Sequence, residues 1–170
     1  VVEKLSEEGL DFKLRIFGEG PAITEFKEAA KSSEKYEILG KVRFNEVPDL
    51  LSDCHIGLLP WPPSPAFSTS SPIKLFEYAA SGLAIVGTNV ESNVPFDGKE
   101  WFRIADKMNI SESMVKEIKK LIIEDRLIHL GALSRSEAEQ RFSWKNVTED
   151  LHSLLIMLIG NKGKQSRSSN

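Results

Sequence analysis

The chain has 170 residues, 41% hydrophobic and 28% charged, with 22 Lys and Arg against 25 Asp and Glu for a net charge of −3. That suits one globular domain long enough to bury a core, and without a basic stripe it makes no case for a nucleic-acid partner. Cys54 is the only cysteine, which excludes an intrachain disulfide and a cysteine zinc site and fits a reducing, cytoplasmic compartment, while His55, His129 and His152 are too scattered to suggest a metal.

The opening VVEKLSEEGL enters in mid-helix without an initiator Met, as a fragment would, and Gly9 reads as the C-cap. FKLRIF (12–17) is a short strand. The GEGP turn follows, and a helix over 22–31 starts just after Pro21. Gly18 and Gly20 allow close backbone approach, either to a ligand or in a tight turn with none. A dinucleotide fingerprint would place a third glycine where Ile23 stands. Glu37–Val42 is the next strand; Asn45 is placed to cap a short helix through Leu51, and Arg43 is either a solvated loop arginine or part of a cleft.

CHIGLLPW (54–61) is a continuous apolar run, as expected of a central parallel strand covered on both faces. His55, at its start, reads as structural, and Trp61 as a loop-packing side chain.

The stretch around which the chain is organised is SPAFSTSSPIKLFEYAASGLAIVG (64–87). A Pro/Ser/Thr loop leads into the helix IKLFEYAAS, Gly82 stops it, and LAIVG continues as a buried strand. The first turn of a helix has free N–H groups and partial positive charge, which suits an anion. Ser70 and Ser71 add hydroxyls there, and Lys74 adds a cation that either pairs with the anion or folds its stem over the helix. Glu77 stands one turn further on, where a carboxylate suits a pair of sugar hydroxyls.

WFRI (101–104) is a last strand; Met114–Ile123 and Arg126–Phe142 are amphipathic helices with solvated charged faces. Ser143 would cap a final helix with Trp144 packed on its first turn, Leu151–Ile159 is an apolar stripe, and 161–170 is a polar tail expected to be disordered. The longest apolar run, LLIMLIG (154–160), falls short of the roughly 18–20 residues of a membrane helix. Strands alternating with helices demand an α/β domain with a doubly wound, mainly parallel sheet.

SPIKLFEYAASGLAIVGTNV resembles the nucleotide-sugar-binding C-terminal domain of the retaining family 4 (group 1) glycosyltransferases. The GEGP turn, LGKV with its Asn-Glu helix, and the Phe142-Ser143-Trp144 joint resemble the same family, so the likeness runs from Val1 to Ile159. It implies a Rossmann-like domain over 1–160, the C-terminal half of a two-domain GT-B fold truncated at its N-terminal edge. It further implies a nucleoside diphosphate sugar donor held without a metal or other cofactor. The implied contacts are Gly18 and Gly20 at the cleft, Lys41, Val42 and Arg43 at the base, Ser70, Ser71, Pro72, Ile73 and Lys74 at the diphosphate, and Glu77 at the ribose. Thr69 stands where the commonest family pattern has a glutamate near the sugar.

In that family the diphosphate-gripping Arg and Lys precede the point where this chain begins, and the catalytic and acceptor groups belong to an N-terminal domain of the same full-length protein. The final helix crosses back to that domain. The expectation is a donor-binding domain, inactive alone, of a hexosyltransferase-type enzyme that is cytoplasmic or peripheral to a membrane, its acceptor, sugar and base unread. The alternative is a non-catalytic interaction module that has lost its donor and docks through Leu151–Ile159. A nicotinamide dehydrogenase is disfavoured, because its strand would end in an acidic residue and this one ends Leu39-Gly40-Lys41.

Overall fold

The computed structural model describes residues 1–69, 71 and 73–165. Its elements run α1 (Val2–Glu7), β1 (Leu14–Phe17), α2 (Ile23–Ser32), β2 (Tyr36–Gly40), α3 (Val47–Leu51), β3 (Ile56–Leu59), α4 (Pro65–Ser68), α5 (Ile73–Ala80), β4 (Ala84–Thr88), β5 (Phe102–Ala105), α6 (Ile110–Ile123), α7 (Leu127–Glu137) and α8 (Trp144–Gln165). Among the described residues every strand pairing is parallel: β1 with β2 in one ladder, and β3, β4, β5 in that order in a second. The alternation of strand and helix thus gives the mainly parallel, Rossmann-like α/β domain that the apolar runs imply.

β4 is the centre. All five of its residues are buried, as required of a strand covered on both faces, and α5, α6 and α7 all pack against it. Leu75, Ile85, Met114, Leu121 and Leu130 are fully buried around it. Each such side chain contributes about 1.5–3 kcal/mol of burial free energy. Phe96 ties the far end together, with ring centroids 6.1 Å from Phe76, 6.0 Å from Trp101, 5.9 Å from Phe102 and 5.9 Å from Phe142.

Gly82 ends α5 as expected. It sits at φ +75°, where the Gly82 amide donates to Ala79 O (3.0 Å) and the Leu83 amide to Tyr78 O (3.1 Å), closing the helix with a left-handed residue. The same residue is a packing point, since a Cβ on Gly131 of α7 would overlap the Gly82 carbonyl.

Several local expectations are corrected. The Ser64–Thr69 loop holds a one-turn helix, α4, because Pro65 sits at its first turn, where a missing N–H costs nothing. Asn45 caps nothing. It lies inside a 3-10 turn, Phe44–Glu46, where the Arg43 amide donates to Glu46 Oε2 (2.8 Å) in the capping arrangement instead. The helix expected through Phe142 becomes a π-helix over Ala138–Phe142. Ser143 does cap α8, accepting from the Asn146 amide (3.2 Å). Trp144, however, is 85% exposed, and Phe142 takes the packing role against Phe76 at 4.9 Å. α8 continues to Gln165, through the first part of the expected tail; 166–170 lie outside the described residues.

Candidate functional site

Two turns carry the expected donor contacts. At the ends of β1 and β2, the Gly18 amide donates to Gly40 O (2.7 Å), with both glycines at positive φ, so the GEGP turn and the turn after β2 are locked edge to edge. The Gly20 carbonyl accepts from the Ile23 amide (3.1 Å) as α2 begins. Lys41 pairs with Glu19 at 3.2 Å, and Arg43 with Glu46 at 2.6 Å. Arg43 thereby holds the exposed Glu46 carboxyl below its usual range.

The second turn enters α5. Thr69 Oγ1 is turned back onto Pro65 O (2.9 Å), and the Ile73 amide donates to Ser71 O (2.9 Å). Ile73 and Lys74 are exposed at the helix start. Ser70 and Pro72 lie outside the described residues. Lys74 donates to Glu77 Oε2 at 2.7 Å, the lysine side chain 53% exposed and the glutamate 20%. Sequence reading left Lys74 facing either a phosphate or its own helix; in the fold it faces Glu77.

The two turns meet through a small apolar cluster. Phe17, just before Gly18, and Val42 pack on Val47, Leu51 and Leu83 together with Tyr78, the neighbour of Glu77. Burial pushes the Tyr78 hydroxyl up from its ordinary pKa. Above this cluster a cavity of about 430 Å³ is lined by Phe44, Val47, Leu51, Ser52, Glu77 and Arg135. That is within the range of small-molecule sites. Glu77 thus shares a cavity wall with the residues that follow Lys41–Arg43. Phe44, 82% exposed, was missed by sequence reading, although a bulky aromatic inside a polar turn was the available signal; Arg135 carried none.

The loop before α5 is held from β4. Thr88, fully buried, donates to Trp61 O (2.6 Å), Ser92 Oγ donates to Phe67 O (2.9 Å), and Trp61 stacks on Phe67 at 5.6 Å. Trp61 is therefore the loop-packing side chain expected.

A larger hollow of about 580 Å³ between α1 and α6 is lined by charged side chains that answer one another: Lys4 pairs with Glu112 at 2.7 Å, and Lys119 with Glu8. It has no link to the two turns. Among the described residues, no group of three or more His, Cys, Asp or Glu side chains could hold a metal ion.

Comparison with known proteins agrees with this architecture. Residues 1–124 match the model of the family described as glycosyl transferases group 1. No curated protein matches. Among solved structures, the pneumococcal O-GlcNAc transferase GtfA, in complex with UDP and GlcNAc, is 20% identical, with a TM-score of 0.67 over 94% of this chain and 32% of its own. TarM is 18% identical, with a TM-score of 0.66 over 89% of this chain and 30% of its own. The likeness to these GT-B enzymes is one of fold, and the chain spans about a third of either. With the family model matched from the first residue to the end of α6, the chain belongs to the group 1 glycosyltransferases.

Proposed function

We propose that this domain binds the nucleoside diphosphate sugar donor of a glycosyl transfer reaction. The observation that carries the reading is the position of Glu77, which lines the cavity that Phe44 and Val47 share, directly after the Lys41–Arg43 turn. The base lies over that turn and is held by its backbone. The ribose diol donates to Glu77, and the diphosphate lies at the start of α5, where the partial positive charge of the helix end and Lys74 oppose its charge. GtfA, similar in fold, was crystallised with UDP, which supports a nucleotide in this fold.

Charge grows on the diphosphate as the glycosidic bond to it breaks. Preorganised dipoles and a cation stabilise that charge without reorganising, which is a large catalytic contribution. In this reading the domain needs no metal. Transfer proceeds with retention of configuration, and Thr69 stands near the sugar. The acceptor and the remaining catalytic groups come from an N-terminal domain of the full-length enzyme, without which the domain does not transfer sugar. The enzyme works in the cytoplasm, free or peripheral to a membrane.

A second reading, a non-catalytic docking module, is favoured by one observation: Leu151 and Leu154 through Ile159 are each 47–68% exposed on α8. Calorimetric titration with UDP, GDP, ADP and NAD, repeated on Glu77→Ala, separates the two. Binding of one nucleoside diphosphate that the substitution abolishes supports the donor domain. Binding that survives Glu77→Ala removes Glu77 from the site, and no nucleotide binding by a longer chain that carries the upstream Arg and Lys favours the module.

A further inference from the structure

The cations of the candidate site all lie against acids. Lys41 is on Glu19 at 3.2 Å, Arg43 on Glu46 at 2.6 Å and Lys74 on Glu77 at 2.7 Å. The first two acids are spectators. Glu77 is different, because it is the group proposed to accept hydrogen bonds from the ribose, and Lys74 already occupies it.

The two partners are not equally fixed. Glu77 is 20% exposed and built into the cavity wall, whereas Lys74 is 53% exposed at the start of α5 and rides on a flexible four-carbon stem. A half-exposed ion pair of this kind is weak enough to be broken by a ligand. When a diol approaches Glu77, the ammonium loses its partner, and the nearest place for it is the mouth of the α5 N-terminus, where an anion would sit.

Resting on the donor-site reading, we infer that Lys74 is an exchanging positioning residue: it neutralises Glu77 in the empty site and transfers to the diphosphate when the nucleoside takes its place. The exchange makes the two halves of the ligand interdependent. A nucleoside alone must displace the ammonium and offers it nothing in return. A nucleoside diphosphate displaces the same ammonium and gives it a stronger partner, since a charge-assisted contact to phosphate exceeds a solvated surface pair. Selection against free nucleosides follows from this pair, with no further contact to the base or ribose.

The signature is a substitution with opposite effects on two ligands. Lys74→Met keeps the length and helix propensity of the side chain. Uridine, guanosine and adenosine, each with its diphosphate, are titrated calorimetrically into the 170-residue chain and into Lys74→Met, Lys74→Arg and Glu77→Gln, with thermal melts confirming folding. The expected result is that Lys74→Met binds the cognate nucleoside about two- to fivefold more tightly, because no pair need be broken. It binds the diphosphate about tenfold or more weakly. Lys74→Arg restores the wild-type order, and Glu77→Gln weakens both ligands.

Loss of both ligands in Lys74→Met, or an unchanged nucleoside affinity, overturns the exchange while leaving the donor site standing. If no nucleoside or diphosphate binds the wild-type chain, or a longer chain that carries the upstream Arg and Lys, at millimolar concentration, the donor-site reading fails, and the exchange fails with it.

Discussion

Ser92 Oγ donates to the backbone carbonyl of Phe67 at 2.9 Å, joining the segment after β4 to the loop that leads into α5. Thr88 makes a parallel tie to the Trp61 carbonyl at 2.6 Å, and Asn93 Nδ2 donates back to Thr88 O at 2.9 Å. The loop that delivers Thr69 to the start of α5 is thus tethered at Trp61 to the end of β4 and at Phe67 to the segment that follows it. These ties add to the loop's own contacts, the Trp61–Phe67 stack and the turn of α4.

Replacing Ser92 with Ala should cost about 1 kcal/mol of stability, the usual worth of one such hydrogen bond. Amide exchange should accelerate in 61–69 more than in β4 itself. Denaturant midpoints and hydrogen exchange measured on the same samples check this, and uniform acceleration across the domain would contradict local tethering.

Gly131→Ala should destabilise by about 1–3 kcal/mol, as overpacking does, because the added methyl meets the Gly82 carbonyl and forces α5 and α7 apart. A thermal melt reads the loss. Since α5 carries Glu77, nucleotide affinity should fall with it.

Glu137 is the charged hub at the end of α7, accepting from Lys99 (2.8 Å), Trp101 Nε1 (3.0 Å) and Arg141 (2.8 Å). Burial alone would push its carboxyl up, but the contacts from Lys99, Trp101 and Arg141 outweigh it and hold the pKa below the usual carboxylate value. A depressed acid stabilises the fold above its unfolded pKa, and that contribution is lost as the pH falls through the folded one. Glu137→Gln should therefore destabilise the domain at pH 7, by about 1–3 kcal/mol. The gap between variant and wild type should narrow as urea midpoints are followed below the ordinary glutamate value of about 4.3.

Cys54 is half-buried against Leu50 O (3.4 Å), and burial raises its thiol above the ordinary cysteine value. The nucleophile is the thiolate, so a disulfide reagent should react slowly in the folded chain and rapidly in urea. Fast labelling of the native chain would contradict the packing of Cys54 beneath β1.

The strands and α5 were legible because continuous apolar runs and a glycine stop have few alternative meanings. AIVGT could only be a covered strand, and Gly82 could end a helix and begin it. The Gly18–Gly40 lock was half legible: the glycines pointed to a turn, but their mutual hydrogen bond depends on strand pairing. Lys74 and Glu77 stand three apart on a helix, a spacing that already allows a pair, and of the two readings left open for Lys74 the fold takes the one over its own helix. Trp144 misled because a tryptophan after a helix joint usually packs. Here the chain turns at Ser143 in extended backbone, and Phe142 on the other side of that turn enters the aromatic cluster instead.

α8 has a last consequence. From Leu151 to Ile159 it is exposed on residue after residue, so among the described residues little packing adds to its local helix–coil equilibrium there. A helix without tertiary packing is marginal in water. Amide exchange in this segment is therefore a gauge that reads near zero protection in the chain alone and rises in proportion to whatever surface closes over it. The end of α8 reports occupancy of that surface without a label, and independently of any ligand at Glu77.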